Sequence, residues 1–145
     1  MNLKLNIKET TAYLIFDRDG SSANIFDGAT LDELDKKIDE IATDKNLTGL
    51  IISSAKKNIF IAGADLKSLA SAPKEELKAL IEKGQTVFDK LAELPITTVA
   101  AIHGACVGGG FELALACDYR VASDAKTTRI GLPETQLGIL PAWGG

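Results

Sequence analysis

Leu3, Leu5 and Ile7 alternate with Lys4, Asn6 and Lys8, and this two-residue period predicts an edge strand over residues 3 to 8. The run TAYLIFDR, Thr11 to Arg18, has the β-branched and aromatic content of a second strand, and the two are spaced to form a hairpin. After a loop over residues 19 to 29 the period changes. Leu31, Leu34, Ile38 and Ile41 recur at helical spacing, and Thr30 with Glu33 makes a capping-box pattern, so a helix is predicted over residues 31 to 43. The continuous apolar run LTGLIISS, Leu47 to Ser54, then predicts a strand buried on both faces.

In AKKNIFIAGADLKSLA, Gly63 interrupts a short apolar run, and Asp65 reads as the N-cap of a helical turn that begins with Leu66 and Lys67. Pro73 precedes an apolar stripe of Leu77, Leu80, Ile81, Gly84, Val87, Phe88 and Leu91, which predicts a helix over residues 74 to 93. TTVAAIHG, Thr97 to Gly104, reads as a second fully buried strand. A helix from about Gly110 to Ala116 and strands at YRVAS and TTRIGL follow. This alternation predicts an α/β domain with a largely parallel sheet, and the pattern shows neither a clear repeat nor a linker. The final QLGILPAWGG contains no closing element, so residues 1–145 are expected to be an incomplete domain.

Composition narrows the function classes. With 145 residues, 46% hydrophobic and 25% charged, the chain is long and apolar enough for one soluble globular core. A net charge of −4 and the lack of a basic stripe argue against a nucleic-acid partner. Cys106 and Cys117 lie in apolar surroundings and read as reduced packing residues of an intracellular, cytoplasmic protein, and the N-terminus lacks the apolar stretch of an export signal. The uncharged run Leu94 to Phe111 contains Pro95, Thr97, Thr98, His103 and four glycines, which suits a buried strand and loop better than a membrane span.

The candidate chemistry centres on HGACVGGGFELALACD. Its glycines match neither G-x-G-x-x-G nor a Walker loop, so a dinucleotide site is a poor fit and close strand–helix packing explains them equally well. Glu112 changes that balance. A carboxylate among Phe111, Leu113 and Leu115 costs several kcal/mol, by rough estimate, unless it is paired or hydrogen-bonded. The helix dipole at its first turn returns only ~0.5 kcal/mol. A second carboxylate, Glu134, follows Pro133 in GLPETQLG, at a strand-to-loop junction. Two carboxylates sharing one water can take a proton and return one. Around Gly63, small residues let a ligand approach a free backbone N–H. His103 stands alone, without metal-ligand spacing, and Trp143 and Arg120 read as packing and pairing residues.

Three motifs in order, IAGADLKSL, HGACVGGGFELALACDYRVAS and IGLPETQLGILPAWGG, resemble the crotonase (enoyl-CoA hydratase/isomerase) superfamily, most nearly the hydratase segment of the multifunctional α subunits of fatty-acid β-oxidation. The resemblance implies a crotonase-like fold of repeated β-β-α units, truncated at the C-terminus, because the family's domain continues past the position of Gly145. It implies an acyl-CoA thioester substrate, with the N–H groups of Ala64 and Gly109 as an oxyanion hole and Glu112 and Glu134 holding the water added across a double bond. Ala62, Gly63, Asp65, Leu66, Lys67 and Gly108 would contact the coenzyme A substrate, and Lys56, Lys57 or Lys67 would reach its phosphates. No metal or redox cofactor is implied, since coenzyme A is part of the substrate. In the family, the missing part closes the acyl pocket and builds a homotrimer or packs on a dehydrogenase part of a multienzyme complex. PAWGG departs from the glycine-richer PGAGG, so Trp143 is expected to reshape the site. A Δ3,Δ2-enoyl-CoA isomerase on the same scaffold and a non-catalytic module that binds CoA or packs against a partner remain the alternatives.

Overall fold

A computed structural model describes residues 1–65 and 70–145. Strands β1 (Leu3–Lys8) and β2 (Thr11–Phe16) form the expected antiparallel hairpin. Helix α1 (Gly28–Thr43) follows, then β3 (Gly49–Ser54), β4 (Ile59–Ile61), α2 (Lys74–Ala92), β5 (Thr97–Ile102), β6 (Ala105–Val107), α3 (Gly109–Ala116), β7 (Tyr119–Ala122), β8 (Arg129–Gly131) and a 3-10 turn at Glu134–Leu137.

The strands sort into two sheets, one ordered β1-β2-β3-β5-β7 and one ordered β4-β6-β8. Every pairing except β1 with β2 is parallel. Each successive strand pair, β3/β4, β5/β6 and β7/β8, places its first member in the larger sheet and its second in the smaller. The β-β-α repeat is therefore geometric, although the residues carry no matching repeat. Gly104 makes the β5–β6 corner at φ +68°, and a Cβ there would stand 2.1 Å from the Asn58 carbonyl oxygen. Only glycine suits both constraints.

Three local expectations change. The capping box at Thr30 and Glu33 is not formed: α1 begins earlier, and its N-cap is Asp27, whose carboxylate accepts from Thr30 N at 2.8 Å. The Glu33 carboxylate instead accepts from the N–H groups of Asn2 and Leu3 at 2.8 and 3.0 Å, tying α1 to the start of β1. Strands β3 and β5 alternate rather than bury both faces, with Leu50, Ile52, Ala100 and Ile102 buried and Ile51 and Ala101 half-buried. Strand β6, enclosed by Gly104 and Gly108, was too short to separate from the glycine-rich loop by periodicity.

The core fills the space between sheets and helices. Phe16, Phe26, Phe88 and Trp143 make a chain of edge-to-face contacts with ring centroids 5.5 to 5.9 Å apart. Such pairs add about 1 kcal/mol each beyond the area they bury. Lys90 on α2 bridges Asp35 and Asp39 on α1. The buried Asn24 amide donates to the Phe16 and Phe60 carbonyls and to Ser54 Oγ, and its oxygen accepts from Arg18 N. One side chain thus joins β2, β3 and β4 to the loop before α1. A Cβ on Gly110 would stand 2.3 Å from the Ile61 carbonyl oxygen, so glycine at this position lets α3 lie directly on β4. Among the described residues, no helix is long and apolar enough to cross a membrane.

Candidate active site

Helix α3 has Gly108 as its N-cap, whose φ of 55° and ψ of −128° lie outside the range of ordinary L residues. One helical turn on, Glu112 is only 4% exposed. Its Oε1 accepts from Trp143 N at 2.7 Å and from Gly145 N at 3.1 Å. Burial pushes the Glu112 carboxyl above its ordinary value; the two N–H groups oppose this, and the charge of Glu134 adds to it. The buried carboxylate thus has the hydrogen bonds that its sequence position required.

Glu134 opens the 3-10 turn after Pro133 and is 8% exposed. Its Oε1 lies 2.8 Å from where a Cβ on Gly108 would be. Its Oε2 is buried and has no hydrogen-bond partner among the described residues. A buried polar atom left unpaired is costly, and such atoms concentrate where a water or ligand binds.

Both carboxylates line a cavity of about 460 Å³, together with Ala62, Gly63, Ala64, Gly108 and Gly109. The remaining wall is mostly apolar and includes Leu77, Leu80 and Ile81 of α2 and Leu137, Ile139 and Leu140 after the 3-10 turn. Ala64 pairs with Phe26 in a parallel bridge, in which Phe26 N donates to Gly63 O and Asp65 N donates to Phe26 O. That arrangement directs the Ala64 N–H away from Phe26. Among the described residues neither Ala64 N nor Gly109 N donates a hydrogen bond. The segments that carry them touch: a Cβ on Gly63, at φ +95°, would stand 3.1 Å from Val107 O and 3.6 Å from Gly109 N.

The other residues expected at the site have the following surroundings. Gly108 N donates to Gly131 O, and Ala62 N donates to Asn24 O, so these two shape the wall without offering a donor. Asp65 is half-buried beside the cavity but does not line it. Leu66 and Lys67 lie outside the described residues, as does the helical turn expected to follow Asp65. Lys56 is turned inward, with its ammonium on Asp17 at 2.9 Å and on the Arg18 carbonyl at 2.7 Å, so its charge is already paired. The His103 ring lies 2.6 Å from the Lys56 carbonyl oxygen and does not face the cavity. Arg120 donates to the Ala114 and Cys117 carbonyls at the end of α3. Burial pushes the Cys106 and Cys117 thiols up to about 12, which suits packing and not nucleophilic work.

The packing of Trp143 against Gly84 and Gly109 was the contact hardest to find from sequence. The indole packs against Gly84 of α2 and Gly109 of α3, where added Cβ atoms would stand 2.3 and 2.7 Å from it. The departure from PGAGG was a clue, but its consequence depends on glycines in two other elements.

The sequence model described as enoyl-CoA hydratase/isomerase matches residues 6–145. The chain belongs to that family. It is 48% identical over 139 residues to the alpha subunit of a fatty acid oxidation complex from Aliivibrio fischeri, an alignment covering 94% of this chain and 20% of that relative. The crystal structure of an enoyl-CoA hydratase from Geobacillus kaustophilus superposes with a TM-score of 0.94 at 33% identity, covering 99% of this chain and 53% of that one. An enoyl-CoA hydratase from Bacillus anthracis gives 0.91 at 33% identity, covering 99% and 55%. The enoyl-CoA hydratase/isomerase chain thus has the crotonase fold over nearly all its length. It spans about a fifth of the curated relatives it matches and about half of these solved hydratases.

Proposed function

We propose that the cavity is the site of an enoyl-CoA hydratase that adds water reversibly to trans-2-enoyl-CoA, giving 3-hydroxyacyl-CoA, in cytoplasmic fatty-acid oxidation. The observation that carries this reading is the convergence of two buried carboxylates, Glu112 and Glu134, on one cavity, with one oxygen of Glu134 unpaired. A carboxylate pair suits hydration because the reaction needs a base and an acid in one cycle. One carboxylate takes a proton from water as its oxygen bonds to C3. The C2–C3 π electrons move toward the thioester, and negative charge gathers on its oxygen. The other carboxyl then gives a proton to C2, and the enolate collapses to the thioester.

On this reading the N–H groups of Ala64 and Gly109, which donate to no other group among the described residues, receive that charge, and preorganised donors in a dry site are worth about 3 kcal/mol each. The apolar wall of α2 and residues 137–140 suits an acyl chain. The names of the relatives, a fatty acid oxidation complex subunit and enoyl-CoA hydratases, support the same reaction class.

The test is hydration of crotonyl-CoA by the full chain, followed as loss of the conjugated thioester absorbance. Glu112→Gln and Glu134→Gln should each lower kcat by about 10²–10⁴. Unchanged hydration in Glu112→Gln removes Glu112 from the reaction, whereas turnover of a 3-enoyl-CoA with none of crotonyl-CoA overturns the reading in favour of isomerisation. Acetoacetyl-CoA binding without turnover of any enoyl-CoA would point to a non-catalytic module.

A further inference from the structure

Trp143 touches three parts of the site through three different groups. Its backbone N–H donates to Glu112 Oε1 at 2.7 Å. Its indole Nε1 donates to the Ile81 carbonyl of α2 at 3.1 Å. Its ring fills the space left by two glycines, since a Cβ on Gly84 would stand 2.3 Å from Cε2 and a Cβ on Gly109 would stand 2.7 Å from Cζ3. Phe26 and Phe88 hold the ring edge-on, at 5.7 and 5.5 Å.

The loop around Trp143 has few other anchors. Among the described residues, every hydrogen bond made by residues 140–145 goes either to α2 or to Glu112: Gln85 Nε2 to the Ala142 carbonyl, Trp143 Nε1 to Ile81, and the N–H groups of Trp143 and Gly145 to Glu112. The loop has no regular secondary structure to hold it. The indole is therefore the main lever that fixes where the Trp143 N–H points.

We propose that Trp143 is a positioning residue: its side chain, wedged between Gly84 and Gly109, holds the backbone donor that sets the Glu112 carboxylate and keeps the Gly109 amide in place. The kinetic part of this inference rests on the hydratase reading, while the coupling between the indole and Glu112 does not. The charged group bearing on Glu112 is Glu134, from the 3-10 turn. Helix α2 presents Leu77, Leu80 and Ile81 to the cavity, and residues 138–145 include no titratable side chain, so a change at Trp143 reaches Glu112 through hydrogen bonding and burial.

The test compares the full chain with Trp143→Phe, Trp143→Ala, Gly84→Ala and the Gly84→Ala/Trp143→Ala pair. Titration of the Glu112 carboxyl by ¹³C NMR, its signal identified by loss in Glu112→Gln, is the first readout, and crotonyl-CoA kinetics are the second. Losing a donor to the charged form raises the midpoint, so Trp143→Ala should titrate above wild type. Its kcat should fall by about 100-fold with KM changed far less, as expected when a reacting group is misplaced by about 1 Å. Trp143→Phe, which keeps the ring contacts and loses the bond to Ile81, should fall between. Gly84→Ala favours the helix and so should not unfold it, yet it should displace the indole and shift the midpoint in the same direction. In the Trp143→Ala background it should add nothing, giving a large coupling energy. A Glu112 midpoint that is unchanged or lowered in both Trp143→Ala and Gly84→Ala, or strictly additive effects in the pair, overturns the proposal. If wild type hydrates no enoyl-CoA, the hydratase reading fails while the titration still decides the role of Trp143.

Discussion

A Cβ on Gly108 would stand 2.8 Å from Oε1 of Glu134, so the residue that opens α3 also sets how close the second carboxylate comes to it. Gly108→Ala meets two obstacles at once. Its φ of +55° is strained for any side chain, at a cost of about 1–3 kcal/mol, and its methyl displaces a buried carboxylate. Crotonyl-CoA hydration should drop by about 100-fold and the melting temperature should fall by several degrees. Wild-type kcat in this variant would mean that Glu134 is not held by Gly108.

Glu112→Gln should separate catalysis from stability. The amide oxygen can still accept from the Trp143 and Gly145 N–H groups, and the buried charge is gone. Because burial raises the folded Glu112 carboxyl above its ordinary 4.5, the stability it contributes is fully present below that value and is lost as pH rises through the folded value. Wild type should therefore lose stability relative to Glu112→Gln between pH 4 and pH 8. Thermal melts of both proteins at those two pH values measure the difference, and a gap between them that is the same at pH 4 and pH 8 would contradict the account.

The sequence exposed some parts of this site and hid others for physical reasons. Glu112 and Glu134 could be picked out because a carboxylate in an apolar run, or behind a proline at a strand end, has few structural uses. The α2 boundaries followed from a stripe that the helix does bury, from Gly84 to Leu91. Glu33 misled because Asp27, three residues before Thr30, reaches the same N–H first, which frees Glu33 for the β1 backbone. Strands β3 and β5 read as buried on both faces because their apolar residues are continuous, whereas coverage of each face depends on which elements pack there. Lys56 looked free beside a glycine-containing loop, yet Asp17, far away in sequence, holds it. Trp143 was hardest, since its space is made by glycines in α2 and α3.

Asp17 should contribute to the acid limb of stability. Hydrogen bonds from Lys4 and Lys56 lower its carboxyl from 3.8 to about 2. A lowered carboxylate stabilises above its unfolded value, and that contribution is lost as pH falls through about 2. Lys56→Met should make the loss of stability between pH 4 and 2 shallower, and 0.5 M salt should reduce the difference, since about that much salt screens exposed pairs. The KM for crotonyl-CoA should stay within about twofold, in keeping with an inward-facing lysine. A large rise in KM would instead restore Lys56 as a ligand for coenzyme A.

Asn24 connects stability to the Ala62–Ala64 segment, whose Ala64 N–H is the proposed oxyanion donor. Its amide nitrogen satisfies the Phe16 and Phe60 carbonyls, its oxygen takes the Arg18 N–H, and its own carbonyl accepts from Ala62 N two residues before Ala64. Asn24→Ala leaves buried carbonyls without this donor and should destabilise the fold by about 3 kcal/mol. Asn24→Asp should be worse at neutral pH, because an anion would face the two carbonyl oxygens that the amide now serves. Protonating that carboxyl at low pH restores one donor, so the gap between the two variants should narrow as pH falls. Kinetics should follow the same order, because the loop that places the Ala64 N–H hangs from Asn24 on one side and from Phe26 on the other. Urea unfolding at pH 7 and pH 5, with crotonyl-CoA hydration measured on the fraction that remains folded, checks both halves of the prediction. An Asn24→Asp protein as stable as Asn24→Ala at pH 7 would show that water reaches this amide.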